Sequence, residues 1–330
     1  MDLDAYAAAH AAEWDRLERL AKGRLDGPGA DELIEHYQAG AAQLSAIRTT
    51  VGESIEGDRL GLALARARIR FTGTPGNPLR GVARYLVLQL PAALYRVRWM
   101  TLVVAAATIV IGVVYGFWLS SDPRLLAALG SHDDLRRYAE HDFVSYYSDN
   151  STAGFFGQVW THNAFLAAQA VVLGPTLLGV AGVIFQNAQG LGVSGAVMNE
   201  FGRLPEFFLY ISPHGQLELY SIFTACAAGL MIGWSWIAPG PLTRLRSFAA
   251  AGRSLITIVG GVILSLLVSG VIEGFVTRQE WPWPIKIGIG TLALAAFVVY
   301  QWVVGRRAAR VGETGEAEDV DSGPRQLVAA

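Results

Sequence analysis

The sequence predicts an all-α fold, a polytopic membrane helix bundle with an N-terminal cytoplasmic helical domain. Three observations predict it. Only 16% of the 330 residues are charged and 52% are hydrophobic, whereas about a quarter of a soluble domain is charged. Several apolar stretches reach the ~20 residues that a spanning helix needs. The residues ahead of the first stretch repeat their apolar positions at helical spacing. The net charge of −2 excludes a basic footprint for nucleic acid. A single cysteine excludes an intramolecular disulfide or a Cys-based zinc site. Of the 26 basic residues only Lys22 and Lys286 are lysine, a bias that with abundant Ala and Gly fits a GC-rich bacterial genome. The first 20 residues are charged throughout, so no cleaved leader is expected.

Residues 1–98 are expected to form the cytoplasmic helical region. Asp2–Lys22 places Leu3, Tyr6, His10, Trp14, Leu17 and Ala21 on one face. Asp31–Thr49 does so with Leu33, Tyr37, Leu44 and Ile47, after a DGPG turn at 26–29. Asp58–Phe71 interleaves aliphatics with Arg66, Arg68 and Arg70, and amphipathic Pro78–Arg98 leads into the first span. Such helices suit the inner leaflet, a docked partner or a small helical hairpin.

Residues 99–305 are expected to form the bundle. Five clear spans are predicted at about 100–119, 163–185, 217–237, 255–276 and a clean 285–304, with Trp234 and Trp236 at a headgroup boundary. Arg80, Arg84, Arg96 and Arg98 precede the first span, and Arg306, Arg307 and Arg310 follow the last. That pattern predicts cytoplasmic N- and C-termini in a bacterial plasma membrane. Five crossings cannot return a chain to its starting side. Residues 187–211, interrupted by Gly190, Gly192, Gly195, Gly202 and Pro205, are therefore expected to be a broken or re-entrant pair buried among the other helices. Loop 242–253 then falls inside, and 120–162, the SPHG turn at 212–215 and 277–284 fall outside. The acidic, small-residue tail 306–330 is expected to be disordered.

An ionisable group within a span costs ~2.5–3.5 kcal/mol on insertion scales, which makes each one a functional candidate. Ser212 is placed to cap a helix and Pro213 to occupy its first position. His214 and Glu218, four apart, then share a face. This pair suits a metal half-site with His162 as third ligand, a proton-handling pair, a recognition site, or a hydrogen-bonded plug that fixes helix register. Glu273 is placed to pair with Arg278 or Arg203, to complete a cavity with Glu218, or to snorkel to the surface. His162 and Asn163 are placed to bond across helices, for about 0.6–2 kcal/mol. Glycines 174, 179, 182, 190 and 195 suit close helix packing. There is no HExxH pattern and no nucleophile–base–orienter trio, so no enzyme activity, cofactor or metal is expected.

Over about residues 55–280 the chain resembles the stage II sporulation protein M family of bacterial membrane proteins. The likeness lies in RLGLALARARIRFTG, HNAFLAAQAVVLGPTLLGVAGVIFQNAQG, SPHGQLEL, GLMIGWSWIAPGPLTR and VIEGFV. Its most specific parts are PHGxxE followed by a span and the later IEGF. By this resemblance Pro213, His214, Gly215, Glu218, Gly229, Glu273 and Gly274 fall on motif positions, and so do Asn163 and Gly190. The resemblance implies a membrane scaffold for cell-envelope machinery, as in an engulfment complex with peptidoglycan-degrading partners. It also implies other envelope membrane proteins, an RDD-family protein or a MoxR-type ATPase as partners, besides membrane lipid. Such proteins occur in bacteria that never sporulate, actinobacteria included. The alternative is a permease-like subunit moving a lipid, peptide or small solute, served by a separate ATPase because no nucleotide-binding motif is present.

Overall fold

The structure is a computed structural model that describes residues 2–23, 25, 27–52, 54–71, 78–145 and 152–317. The described residues are helical, with no strand among them. They divide into two units, one on each side of a boundary between Val82 and Ala83.

The first unit packs three helices: α1 (Leu3–Lys22), α2 (Gly27–Thr50) and α3 (Ile55–Phe71). The Asp2 side chain caps α1 by accepting from the backbone N–H groups of Asp4 and Ala5. The segment read as a DGPG turn mostly belongs to α2, because Pro28 fits a helix's first turn, where its missing N–H is no loss. The periodic residues Trp14, Leu17, Leu33, Ile47, Leu60 and Leu64 meet in one core. Gly40 admits Leu17, Leu60 and Leu64 at once. The basic helix α3 thus spends its apolar face inside this unit. Arg16 holds Glu32 through two 2.6 Å hydrogen bonds, and the Trp14 indole donates to Gln43 at 2.7 Å.

The second unit is the bundle. Helix α4 (Pro78–Arg84) passes through a π-helical turn, Tyr85–Gln89, into α5 (Leu90–Ser121). The expected boundary at residue 98 therefore falls inside a continuous helix. Short helices α6 (Pro123–Ala127), α7 (His132–Arg137) and α8 (Phe143–Ser145) follow. Then come α9 (Thr152–Val172), α10 (Leu178–Glu200), α11 (Leu204–Ile237), α12 (Arg244–Ile272), α13 (Trp283–Val299) and α14 (Gly305–Arg310).

Among the described residues, four helical stretches are long and apolar enough to cross a membrane: Gly81–Ser121, Leu204–Ile237, Arg244–Thr277 and Trp283–Arg310. Large apolar residues of α5 such as Val103, Ile109, Val113 and Phe117 point outward, a face suited to hydrocarbon. Helices α9 and α10 add a hairpin. Gly112 and Gly116 of α5 lie against Ala188 and Gly192, so α5 and α10 run parallel. Ala170 meets Gly229, Gly174 meets Gly233, and Asn163 meets Glu218, so α9 and α11 run parallel as well. Six helices therefore alternate in direction. The last ends where the first begins: Gly305 packs on Pro91, the Tyr300 hydroxyl donates to the Leu86 carbonyl, and Gln301 donates to that of Leu94 at 3.0 Å.

Two expectations about the chain path are corrected. Segment 187–211 is interrupted at Gly202, but as the junction of two long helices and not as a pair of short broken ones. Its first part continues α10 to Glu200, and a tight turn at Phe201–Arg203, with Gly202 at φ +70°, starts α11. The interruption lies at 173–177, inside the stretch read as the span 163–185. Pro175 lacks an N–H, Gly174–Thr176 tightens to a 3-10 turn, and Leu177 takes φ 54°. The pair of antiparallel helices α9 and α10 comes from this split. The SPHG segment is not an outside turn, nor does Ser212 cap a helix start. Pro213 lies in the interior of α11, where surrounding helices and side chains make such a break in the hydrogen-bond ladder tolerable.

The tail is also ordered further than expected. Residues 305–310 are helical, Arg253 binds Glu316 at 2.6 Å, and Gly315 at φ +74° lies flat on Ala93. The rest of the expected tail, 318–330, lies outside the described residues.

Candidate functional site

The site is built where α9, α11 and α12 meet. His214 and Glu218 stand one turn apart on α11, so both reach the same neighbour. Along α12 the polar residues Ser265, Ser269, Glu273 and Thr277 recur every fourth position and form a stripe facing α11. The helix widens to a π-helical turn over Glu273–Thr277. Such turns recur at functional sites.

The imidazole of His214 lies between two elements of this stripe. Its Nδ1 is 3.3 Å from the Thr277 hydroxyl and its Nε2 is 3.5 Å from Oε1 of Glu273. The Ser269 hydroxyl donates to the His214 backbone carbonyl at 3.1 Å. Asn163 of α9 hydrogen-bonds the Glu218 carboxylate, and Ser269 of α12 lies beside it. One ligand-type atom from each of His214, Glu218 and Glu273 lies within 4.8 Å of the others. His214 and Glu273 are buried, whereas Glu218 is partly exposed. Among the described residues, Oε2 of Glu273 is buried with no hydrogen-bond partner.

Lys286 closes the far side. It is 5% exposed, donates to the Thr277 carbonyl at 3.0 Å and sits 3.8 Å over the Trp283 ring. It therefore braces the π-helical turn from α13 without pairing with a carboxylate among the described residues.

Of the predicted residues, the structure brings together His214, Glu218, Glu273 and Asn163. Glu273 does not snorkel: it is 3% exposed and faces His214. Arg203 is engaged elsewhere, by the carbonyls of Ala139 and Glu140 and by Glu206. The side chain of His162 lies outside the described residues, and the third ligand-type group beside His214 and Glu218 is Glu273.

The motif glycines separate into tight and open positions. A Cβ on Gly229 would lie 2.3 Å from the Ala170 carbonyl oxygen, and one on Gly215 would lie 2.7 Å from Cγ2 of Ile211. Gly274 is buried in the π-helical turn. Gly174 and Gly179 are crowded, but Gly182, Gly190 and Gly195 have nothing within 4 Å of a Cβ, so the close-packing expectation fails there.

Sequence reasoning missed Ser269, Thr277 and Lys286. The fourfold polar repeat of α12 and a lone lysine within an apolar run were the available signals. The span read as clean at 285–304 contains that lysine.

The family model for Stage II sporulation protein M matches residues 105–278, which take in the whole cluster except Lys286. The chain belongs to that family. The motif residues from Asn163 to Gly274 lie within the matched stretch, whereas RLGLALARARIRFTG, residues 59–73, which also carried the resemblance, lies outside it. The first helical unit matches a second family model, a domain of unknown function (DUF8413), over residues 4–73. No curated protein and no solved structure matches the chain. As a member of the stage II sporulation protein M family with several apolar helices, it is a multi-pass membrane protein.

Proposed function

We propose that this protein is a non-enzymatic scaffold of the bacterial plasma membrane that assembles a cell-envelope complex of the peptidoglycan-remodelling kind. The observation that carries this reading is where the buried polar groups are spent. His214, Glu218 and Glu273 bind one another and side chains of adjacent helices, so they join α9, α11 and α12. A helical unit with its own core, residues 3–71, offers a platform for a second protein. The partners are other envelope membrane proteins: a peptidoglycan hydrolase, an RDD-family protein or a MoxR-type ATPase.

The proposed orientation places both termini in the cytoplasm. A cleft at the end where α5 begins is lined by Tyr95, Arg98, Trp99, Trp302, Arg306 and Arg310. Arginines beside tryptophans suit the anionic inner leaflet, which makes membrane lipid a partner there.

A permease-like subunit is the second reading. It is favoured by the partial exposure of Glu218, an ionisable group of the bundle interior that solute could reach.

Purification of wild type and His214→Ala from the native host in mild detergent, with mass spectrometry of what co-purifies, tests the proposal. The scaffold predicts an envelope hydrolase or membrane protein with the wild type and its loss from the variant. A solitary, well-folded wild-type protein refutes it, and an ATPase as sole partner transfers the weight to the permease.

A further inference from the structure

The cluster holds more acceptor capacity than its neighbours use. Two carboxylates and an imidazole converge inside an apolar bundle, and among the described residues neither carboxylate pairs with lysine or arginine. A carboxylate held charged inside an apolar bundle is normally paired with a cation or coordinates a metal, and otherwise takes up a proton.

The geometry points to the metal. Thr277 occupies Nδ1 of His214, so Nε2 is the nitrogen turned to the carboxylates. Holding one ring nitrogen to orient the other is the usual outer-shell arrangement for a metal-bound histidine. Asn163 orients Glu218 in the same way. Two ligands on one tetrahedral ion with bonds of about 2.0–2.2 Å lie roughly 3.4 Å apart, and Nε2 of His214 is 3.5 Å from Oε1 of Glu273. The second oxygen of Glu273, a side chain 3% exposed, is buried and has no hydrogen-bond partner among the described residues. That oxygen is a ligand atom awaiting a cation.

We propose that His214, Glu218 and Glu273 form a three-ligand site for a divalent transition cation of the zinc–manganese class. One nitrogen and two carboxylate oxygens suit that class better than the all-oxygen cages of calcium or magnesium. Soft-metal chemistry is unsuited, because the sole cysteine, Cys226, is three turns from His214 along α11 and is not part of the cluster. The ion ties α11 to the π-helical end of α12, and the partly exposed Glu218 is the side from which it enters. The site stands apart from the scaffold reading, since a protein can hold this ion whichever partners it binds.

The test uses the full chain in detergent. Metal content is measured by elemental mass spectrometry as purified, after chelator stripping, and after reloading with zinc or manganese alone. The expected result is about one ion per chain after reloading, below a tenth of that in Glu273→Gln, and a melting midpoint that rises with metal only in the wild type. Glu273→Gln keeps the side chain's shape, and its own melting curve shows that it is folded. His214→Gln serves as a second variant and is expected to lose the ion likewise. A reloaded wild type that melts cooperatively yet holds less than a tenth of an ion overturns the proposal. So does equal metal in wild type and folded Glu273→Gln, which would assign the ion to surface histidines.

Discussion

Two motif glycines of the same family should respond oppositely to one methyl group. Gly229 lies mid-helix in α11, where a Cβ would sit 2.3 Å from the Ala170 carbonyl oxygen and 3.2 Å from Cγ2 of Val180. A carbon–oxygen contact relaxes at about 3.3 Å, so α9 and α11 must part by about 1 Å in Gly229→Ala. The obstacle is backbone, which has no rotamer to change. Overpacking of this size costs about 1–3 kcal/mol, while alanine's helix propensity returns up to about 1 kcal/mol. The net loss is about 1–2 kcal/mol, or a fall of roughly 2–8 °C in melting midpoint for a unit of this size. Gly190 is also helical, but nothing lies within 4 Å of its Cβ. Gly190→Ala therefore keeps only the propensity gain and should melt at or slightly above wild type. Thermal unfolding of the three purified proteins in one detergent makes the comparison. Equal midpoints for Gly229→Ala and Gly190→Ala would refute the parallel close approach of α9 and α11.

Gly290→Ala should be costlier still, because its Cβ would lie 1.9 Å from the Pro213 carbonyl oxygen, and α13 would have to withdraw by about 1.4 Å to restore that contact; a midpoint above that of Gly229→Ala would count against this packing. The Tyr220 hydroxyl donates to Oε1 of Gln301 at 2.5 Å, and Gln301 in turn donates to Leu94. Tyr220→Phe strands that oxygen and should cost about 1–3 kcal/mol, part of it recovered in Tyr220→Phe/Gln301→Leu; strictly additive losses in thermal unfolding would dismiss the link. In the first unit, hydrogen bonds from Gln43, Lys22 and Arg16 hold Glu13, Glu18 and Glu32, respectively, below the ordinary carboxylate range. Their folded forms bind fewer protons than their unfolded forms, so the contribution is complete above the ordinary value near 4.5 and is lost as pH falls through the lowered ones. Amide-exchange protection of α1 and α2, corrected for intrinsic rates, should fall on acidification below pH about 4.5; constant protection would refute the pairing.

Helical periodicity made the first unit readable, because a small soluble bundle must place its apolar residues on one face of each helix. Trp14, Leu17, Leu33 and Ile47 are core residues for that reason. Membrane helices give a poorer signal, since lipid and protein faces are both apolar. The turn at 173–177 contains one threonine among Leu, Gly and Pro, so hydropathy reads through it. The glycine-rich stretch of α10 looks like a break, but Gly182, Gly190 and Gly195 are carried inside a regular helix. Pro213 misled in the same direction, for a buried helix can absorb a proline that would end a solvated one. His214 and Glu218 were legible because an i, i+4 pair needs only the helix. Their link to Glu273 spans 59 residues of chain from His214 and 55 from Glu218, and only the antiparallel pairing of α11 with α12 creates it.

The family motif therefore reads as one packing unit. Pro213 turns its carbonyl toward Gly290, so the residue before the histidine is also where α13 comes closest to α11. Gly215, on the other side of His214, leaves room for Ile211, which any Cβ would strike. His214 is thereby held between two positions that set backbone spacing. On α12 the same economy appears in Glu273-Gly274, where a carboxylate and a buried glycine open the π-helical turn that brings Thr277 to Nδ1 of His214. A histidine placed this closely is costly to bury and offers nothing to lipid. Its position is explained by what its two nitrogens meet, and one of them meets a carboxylate whose second oxygen is still unpartnered. Close helix packing and the polar cluster are consequently one feature, and a substitution that separates α11 from α12 should disturb both together.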